Sequence, residues 1–438
     1  DYKLSNLLKG SSIPDHARYD DKHVDVTIRY YRGLEAGPVT AALLQRGATL
    51  LRRYDYGNWM EVRIEKERIA EFAALAFVAG IEPIAPPSEP DDERGRSLHR
   101  SNVINSYTPM GRHYDGTGVS AALADDGPVG PHIDYQGRID QSNTTANNGN
   151  HGDMTTGILM GAGNIDPTIR GMGTGAFIYI YDIGSYNHVL NSPTTNATLG
   201  VMVTSTSYSQ GCNDYTTDTQ TGDQILHDNP TLLHVYSAGN NSGADCGYGA
   251  GAGWGNITGG FKQGKNVIAC ANVNYLDVLD GTSSHGPASD GRVKPDISAN
   301  GAGQLSTDGP NDYQVGGGTS AACPGVAGIV TQLHQAYREL NGGQNAEGAL
   351  IKACLLNTAD EIGNPGPDFK FGWGRVNAFK AVTTLEENRY LSDVISQGAT
   401  NTHNITVPAN TQLVKIMVLW SDEGGDPIAA KSLVNDLN

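Results

Sequence analysis

The chain has 438 residues, 56 of them glycine and only 18% charged, and its 47 acidic against 30 basic side chains leave a net charge of −17. That balance argues against nucleic-acid or anionic-membrane partners, and no run approaches the roughly 18 apolar residues that a membrane span needs. The length exceeds what one core usually holds, so more than one domain is expected.

Residues 1–22 read as an N-terminal extension, and 23–85 as the first domain. There, 24–30 alternates as a strand, 38–46 reads as a helix, and 48–53 and 59–64 read as two further strands. A second helix is expected over 66–78, with Ile69, Phe72 and Leu75 on one face, and 81–84 closes the set. The order β-α-β-β-α-β is that of a ferredoxin-like α+β domain. Residues 86–100 carry Pro86-Pro87 and Pro90-Asp91-Asp92-Glu93-Arg94 without periodicity, and read as a linker and processing region.

In 101–385, strands are expected at 119–124, 176–181, 200–205, 232–237 and 267–271, alternating with helical stretches. That pattern predicts an α/β domain, a parallel sheet with helices on both faces, whose strand C-termini gather at one crevice. Four residues stand at such places. Asp125 ends the first strand in Asp125-Asp126-Gly127, although a turn is the commoner fate of that tripeptide. His151 opens a short apolar helix, a place where a lone histidine is more often a cap or a core residue. Asn240 follows a strand in Ala238-Gly239-Asn240, where its amide can serve as an oxyanion donor or simply begin a turn. Ser320 stands in Gly318-Thr319-Ser320-Ala321-Ala322, between a glycine loop and an apolar helix whose free N–H groups and dipole favour negative charge. Pro324 is expected in the first helical turn, where its missing N–H costs nothing. Each context is common alone; all four in one chain are not.

Asp125-Asp126-Gly127, His151-Gly152, Asn240 and Gly318-Thr319-Ser320-Ala321-Ala322 with Pro324, in this order, resemble the blocks of the subtilisin-like serine proteases, the subtilases of family S8. The resemblance runs from about 115 to 382 and implies a serine endopeptidase acting on protein or peptide substrates. Ser320 would be the nucleophile, His151 the base, Asp125 its orienting acid and Asn240 the oxyanion donor. The primary substrate pocket would lie between Ser207-Tyr208 and Ser237-Ala238-Gly239, and Tyr181-Asp182-Ile183-Gly184-Ser185 would pair with substrate backbone. By the same resemblance, 23–85 is a prosegment that inhibits its own enzyme, which makes the chain a zymogen. Asp153-Met154, Cys323 and Gly325 depart from the usual family pattern. Many subtilases carry structural calcium, and Asn164-Ile165-Asp166 lies where one family calcium loop occurs; the chemistry itself needs no cofactor and no metal. An inactive binding protein of the same fold, and a transpeptidase or cyclase, are the alternatives.

The chain begins at Asp1, so an export signal was removed or never included, and a secreted protein is expected. Cys212 and Cys246 lie in polar loops and are expected to pair, whereas Cys270, Cys323 and Cys354 sit in apolar contexts. Residues 386–438, with strands at 404–407 and 413–420, read as a partial β-sandwich and resemble a jelly-roll domain found in some subtilases.

Overall fold

The computed structural model describes residues 2–9, 13–53, 57–84, 93–106, 111–145, 149–183 and 188–437. The chain divides into two units, Asp1–Pro90 and Asp91–Asn438.

The first unit is a four-stranded antiparallel sheet with helices packed on one face. Its strands are β1 (His23–Tyr30), β2 (Thr49–Arg53), β3 (Trp59–Glu65) and β4 (Val78–Pro83), in the order β2-β3-β1-β4. Alternation decides which face of β1 is buried: Val24, Val26 and Ile28 lie opposite Ile64, Val62 and Met60 of β3, and all six are buried. Val39 and Leu43 of helix Ala36–Leu44, with Ile69 and Phe72 of helix Ile69–Ala74, close over that face. The second helix stops short of 78 because Val78 already pairs with Tyr30 in β4.

The second unit is built on a seven-stranded parallel sheet. Its strands are β5 (Ser120–Asp125), β6 (Ile139–Asn143), β7 (Phe177–Asp182), β8 (Val201–Thr206), β9 (Leu233–Ser237), β10 (Ile268–Val273) and β11 (Ile297–Asn300). They run in the order β11-β10-β9-β8-β5-β7-β6, every adjacent pair parallel. β5, β7, β8, β9 and β10 are the five strands legible in the sequence. β6 and β11 are not, since Ile139-Asp140-Gln141-Ser142-Asn143 is a polar edge strand and β11 is only four residues long. From β5 the chain builds first toward β6 and then, after β7, crosses to β8 on the other side. That reversal opens a crevice at the C-terminal ends of β5 and β8.

A hairpin of β12 (Gln304–Asp308) and β13 (Asp312–Gly316) leads into helix Thr319–Leu340. This helix is buried from Thr319 to Ala336, as an apolar helix surrounded by other elements must be. Its Val326, Ile329, Val330 and Leu333 share one core with Ile178, Val203, Val235 and Ile268 of the sheet. The Cys212–Cys246 disulfide is formed across a sequence separation of 34 and ties the segment after β8 to the segment after β9. Cys270, Cys323 and Cys354 are buried free thiols. Among the described residues no helix is long and apolar enough to cross a membrane.

Two longer segments also differ from the sequence expectation. Of the linker expected at 86–100, residues 86–92 lie outside the described residues, while Glu93–Leu98 is a helix packed into the second unit. Arg96 is buried with its guanidinium on the Gly171 carbonyl at 3.0 Å, and the fully buried His99 ring accepts the Asn300 N–H at 2.8 Å. The strands expected at 404–407 and 413–420 are not formed. Residues 388–437 contain no helix or strand, and Ile405, Val407, Leu413, Ile416 and Val418 stay exposed. A strand is stable only beside a partner that completes its ladder, and the described residues supply none here. The anchored part of this segment is Asp422, whose carboxylate meets the buried Lys265 amine at 2.5 Å and whose backbone pairs both ways with the Asn266 side chain.

Candidate active site

Asp125 is the last residue of β5, at the crevice, and its side chain is only 4% exposed. One oxygen, Oδ1, lies 2.7 Å from His151 Nδ1 and accepts the Asp126 N–H; the other accepts the Thr155 hydroxyl at 3.0 Å. Thr155 follows His151 by four residues, so one face of helix His151–Met160 brings both groups to the same carboxylate. The helix mouth is held by the neighbouring acid. Asp126 accepts the backbone N–H of His151 at 2.9 Å and of Gly152 at 2.8 Å, which satisfies donors that a helix N-terminus leaves open. Burial works against charging the His151 ring, but the Asp125 hydrogen bond and the charges of Asp125 and Asp126 outweigh it, and its pKa is raised above 6.5. With Nδ1 turned to Asp125, Nε2 is the nitrogen left to exchange a proton.

Ser320 is the second residue of helix Thr319–Leu340 and is buried. Its hydroxyl donates to the Ser207 carbonyl at 3.1 Å rather than to His151. The two helices are in direct contact through Met154, Ile158 and Ala321. Pro324 does not lie in the first turn; the helix starts at Thr319, which puts the proline inside it. A proline N cannot donate to the carbonyl four residues back, and here that carbonyl belongs to Ser320. Ser207 takes the vacant role, its hydroxyl donating to the Ser320 carbonyl at 3.0 Å. Ser207 and Ser320 are therefore joined by two reciprocal bonds.

Asn240 stands three residues beyond β9, with an oriented amide. Its Oδ1 accepts both the backbone N–H of Thr319, at 3.0 Å, and the Thr319 hydroxyl, at 2.9 Å. Nδ2 has no acceptor among the described residues, so the donor end of the amide is the one left for a ligand. Gly318 adopts φ +77°, in the left-handed region, and a Cβ there would lie 3.0 Å from Asn240 Nδ2. The glycine thus serves both the turn and the close approach of the amide.

The expected pocket walls flank these groups. Ser237 and Ala238 are buried at the end of β9, and the Gly239 N–H donates to Thr319 Oγ1 at 3.2 Å. Tyr208 packs against Ala122, Ala124 and Tyr181, and burial together with the Asp125 charge pushes its phenol up to about 12. On the other expected substrate element, β7 is paired on both sides, by β5 and β6, so Tyr181 and Asp182 offer no free strand edge. Gly184 and Ser185 lie outside the described residues.

Asp126, Thr155 and Thr319 escaped the sequence reasoning. Asp126 was hidden by its turn-like context, and the two threonines act only through partners distant in sequence. At the candidate calcium loop, Asp166 Oδ1 already accepts the Thr168 N–H and hydroxyl, and the Asn164 amide donates to the Ile133 carbonyl. Calcium takes six to eight oxygen ligands, so Asn164 and Asp166 alone would not complete its shell. Among the described residues no group of three or more His, Cys, Asp or Glu side chains could hold a metal.

The model of the Subtilase family matches residues 116–374, more than half of the chain. The chain belongs to the subtilase family. Thermitase of Thermoactinomyces vulgaris is 27% identical over 281 residues, covering 61% of this chain and 90% of its own. The thermophilic serine proteinase of Bacillus sp. (strain AK1) is 27% identical over 282 residues, 61% of this chain and 62% of its own. A serine protease/ABC transporter B family protein of Dictyostelium discoideum is 26% identical over 194 residues, 36% of this chain and 11% of its own. This subtilase therefore spans less than two thirds of two of these relatives. The family match begins just before β5 and ends after the Ser320 helix, so it contains all four candidate residues.

Proposed function

We propose that the chain is a serine endopeptidase that cleaves peptide bonds through an acyl-enzyme on Ser320. The observation that carries this reading is the His151–Asp125 pair, 2.7 Å apart at the mouth of a helix packed against the Ser320 helix, within a subtilase family match. Ser320 would leave the Ser207 carbonyl and turn its hydroxyl to His151 Nε2, a bond that often tightens only when substrate binds. His151 would take the proton as Ser320 attacks the carbonyl, then pass it to the leaving amine; Asp125 would hold the tautomer and stabilise the imidazolium. The Asn240 amide and the Ser320 backbone N–H would receive the oxyanion.

Export to an oxidising compartment is supported by the Cys212–Cys246 disulfide. The ferredoxin-like unit at 23–85 would act as the inhibitory prosegment of a zymogen. Incubating the purified full chain with an unfolded protein substrate tests the reading: peptide fragments should appear, and Ser320→Ala should lower turnover by about a millionfold. Equal cleavage by the variant would refute it. Mass spectrometry of the same incubation reads the zymogen step, since the 23–85 unit should be released as cleavage begins and an uncut chain that cleaves substrate would contradict it.

A further inference from the structure

Among the described residues of the second unit, Lys262, Lys294 and Lys352 are buried and the side chain of Lys265 is nearly so; three of these four have carboxylate partners. Lys265 is paired with Asp422 at 2.5 Å, while Lys294 and Lys352 share Asp296 at 2.5 and 3.3 Å. Lys262 is the exception. It is 2% exposed, and its one hydrogen bond among the described residues is from Nζ to the Ser237 hydroxyl at 3.3 Å, with no carboxylate in reach. An ammonium has three donors, and burying it with a single neutral partner is costly. Desolvation pulls its pKa down to about 7, opposed only in part by Cys323. A group so placed is stabilised by any anion that reaches it.

Its position says which anion can. The segment after β8 touches the nucleophile, because Ser207 exchanges two hydrogen bonds with Ser320. The segment after β9 carries Asn240, which is bound to Thr319 next to the nucleophile. Lys262 lies where these two segments meet a third. The Gly259 N–H donates to the Gly211 carbonyl, the Thr258 N–H donates to the Ala238 carbonyl, and a Cβ at Gly259 would lie 3.3 Å from Gln210 N and 3.8 Å from Lys262 Cε. Thr258, facing Gly239, keeps a buried hydroxyl with no partner among the described residues. A substrate side chain that entered between the two segments, beside the carbonyl presented to Ser320 and Asn240, would approach Ser237 and the amine bonded to it.

We propose that Lys262 is the specificity-determining residue of the primary pocket and selects substrates with an acidic side chain, glutamate or aspartate, on the acyl side of the cleaved bond. The inference rests on the serine-peptidase reading above.

The test is a set of peptides identical except at that residue, carrying Glu, Asp, Gln or Leu, cleaved by the full chain, with fluorophosphonate labelling of Ser320 run alongside. Glu should exceed its neutral isostere Gln in kcat/KM by about tenfold or more, the scale of a hydrogen-bonded charge pair. Lys262→Met should abolish that ratio and favour Leu, whereas Lys262→Arg should retain a preference for acid. A wild-type chain that labels at Ser320 but cleaves Gln or Leu peptides as well as Glu would overturn the proposal and leave the peptidase reading standing. Absence of Ser320 labelling in the folded wild type would overturn both. If Lys262→Met fails to label, the wild-type Glu-to-Gln ratio decides alone.

Discussion

Asp153, on the His151 helix, gives the structure a stability cost that depends on pH. It is 4% exposed and accepts the Gly130 N–H at 2.6 Å, and burial together with the charges of Asp308, Asp126 and Asp125 raises its pKa from 3.8 to about 6. A carboxyl that keeps its proton to higher pH when folded makes the native state bind more protons than the unfolded one, so stability falls as pH rises through that window. The shift is about two units at about 1.4 kcal/mol each, or roughly 3 kcal/mol, fully present below the unfolded value and lost above about pH 6. Asp153→Asn keeps an acceptor for Gly130 and removes the ionisation. Urea unfolding in a Ser320→Ala background, which prevents self-digestion, should find the two chains nearly equal at about pH 4. At about pH 8 the chain carrying Asp153→Asn should be more stable than its parent by roughly 3 kcal/mol. A difference that does not change with pH would refute the assignment of the cost to ionisation of Asp153.

Further outcomes follow from the same geometry. His151 must be neutral to accept a proton and its pKa is raised, so kcat/KM should fall as pH drops through a value above 6.5; an acid limb below 6.5 would count against the Asp125 pairing. Asp126→Ala removes the acceptor of two helix-mouth N–H groups and should cost about 1 kcal/mol in thermal unfolding, together with activity; an unchanged melt would contradict the capping role. Reducing Cys212–Cys246 should lower stability by roughly 4 kcal/mol for its separation of 34, and identical unfolding with and without reductant would exclude that contribution.

Much of the architecture was legible because apolar runs and turn residues repeat along 119–271, and buried parallel strands leave that pattern plainly. β6 was hidden by its polar edge position, and β11 by its length. At the site, Asp125, His151, Asn240 and Ser320 could be found because each stands at a strand end or helix mouth. Thr155, Thr319 and Lys262 could not, because their meaning lies in contacts with Asp125, Asn240 and Ser237 that only the folded chain brings together. Pro324 sits deeper in its helix than its sequence context suggests for a related reason: the carbonyl it orphans is rescued by Ser207, 113 residues away in sequence. At 404–420 the β pattern is real, but a pattern makes a strand only where a neighbour accepts its hydrogen bonds.

An activated nucleophile at Ser320 is read out by a fluorophosphonate serine probe. The purified chain and Ser320→Ala should each be exposed to the probe before and after an incubation that permits release of the 23–85 unit. Labelling should map to Ser320, increase after the incubation and vanish in the variant. A folded wild-type chain that takes up no probe under either condition would contradict the assignment of Ser320 as nucleophile.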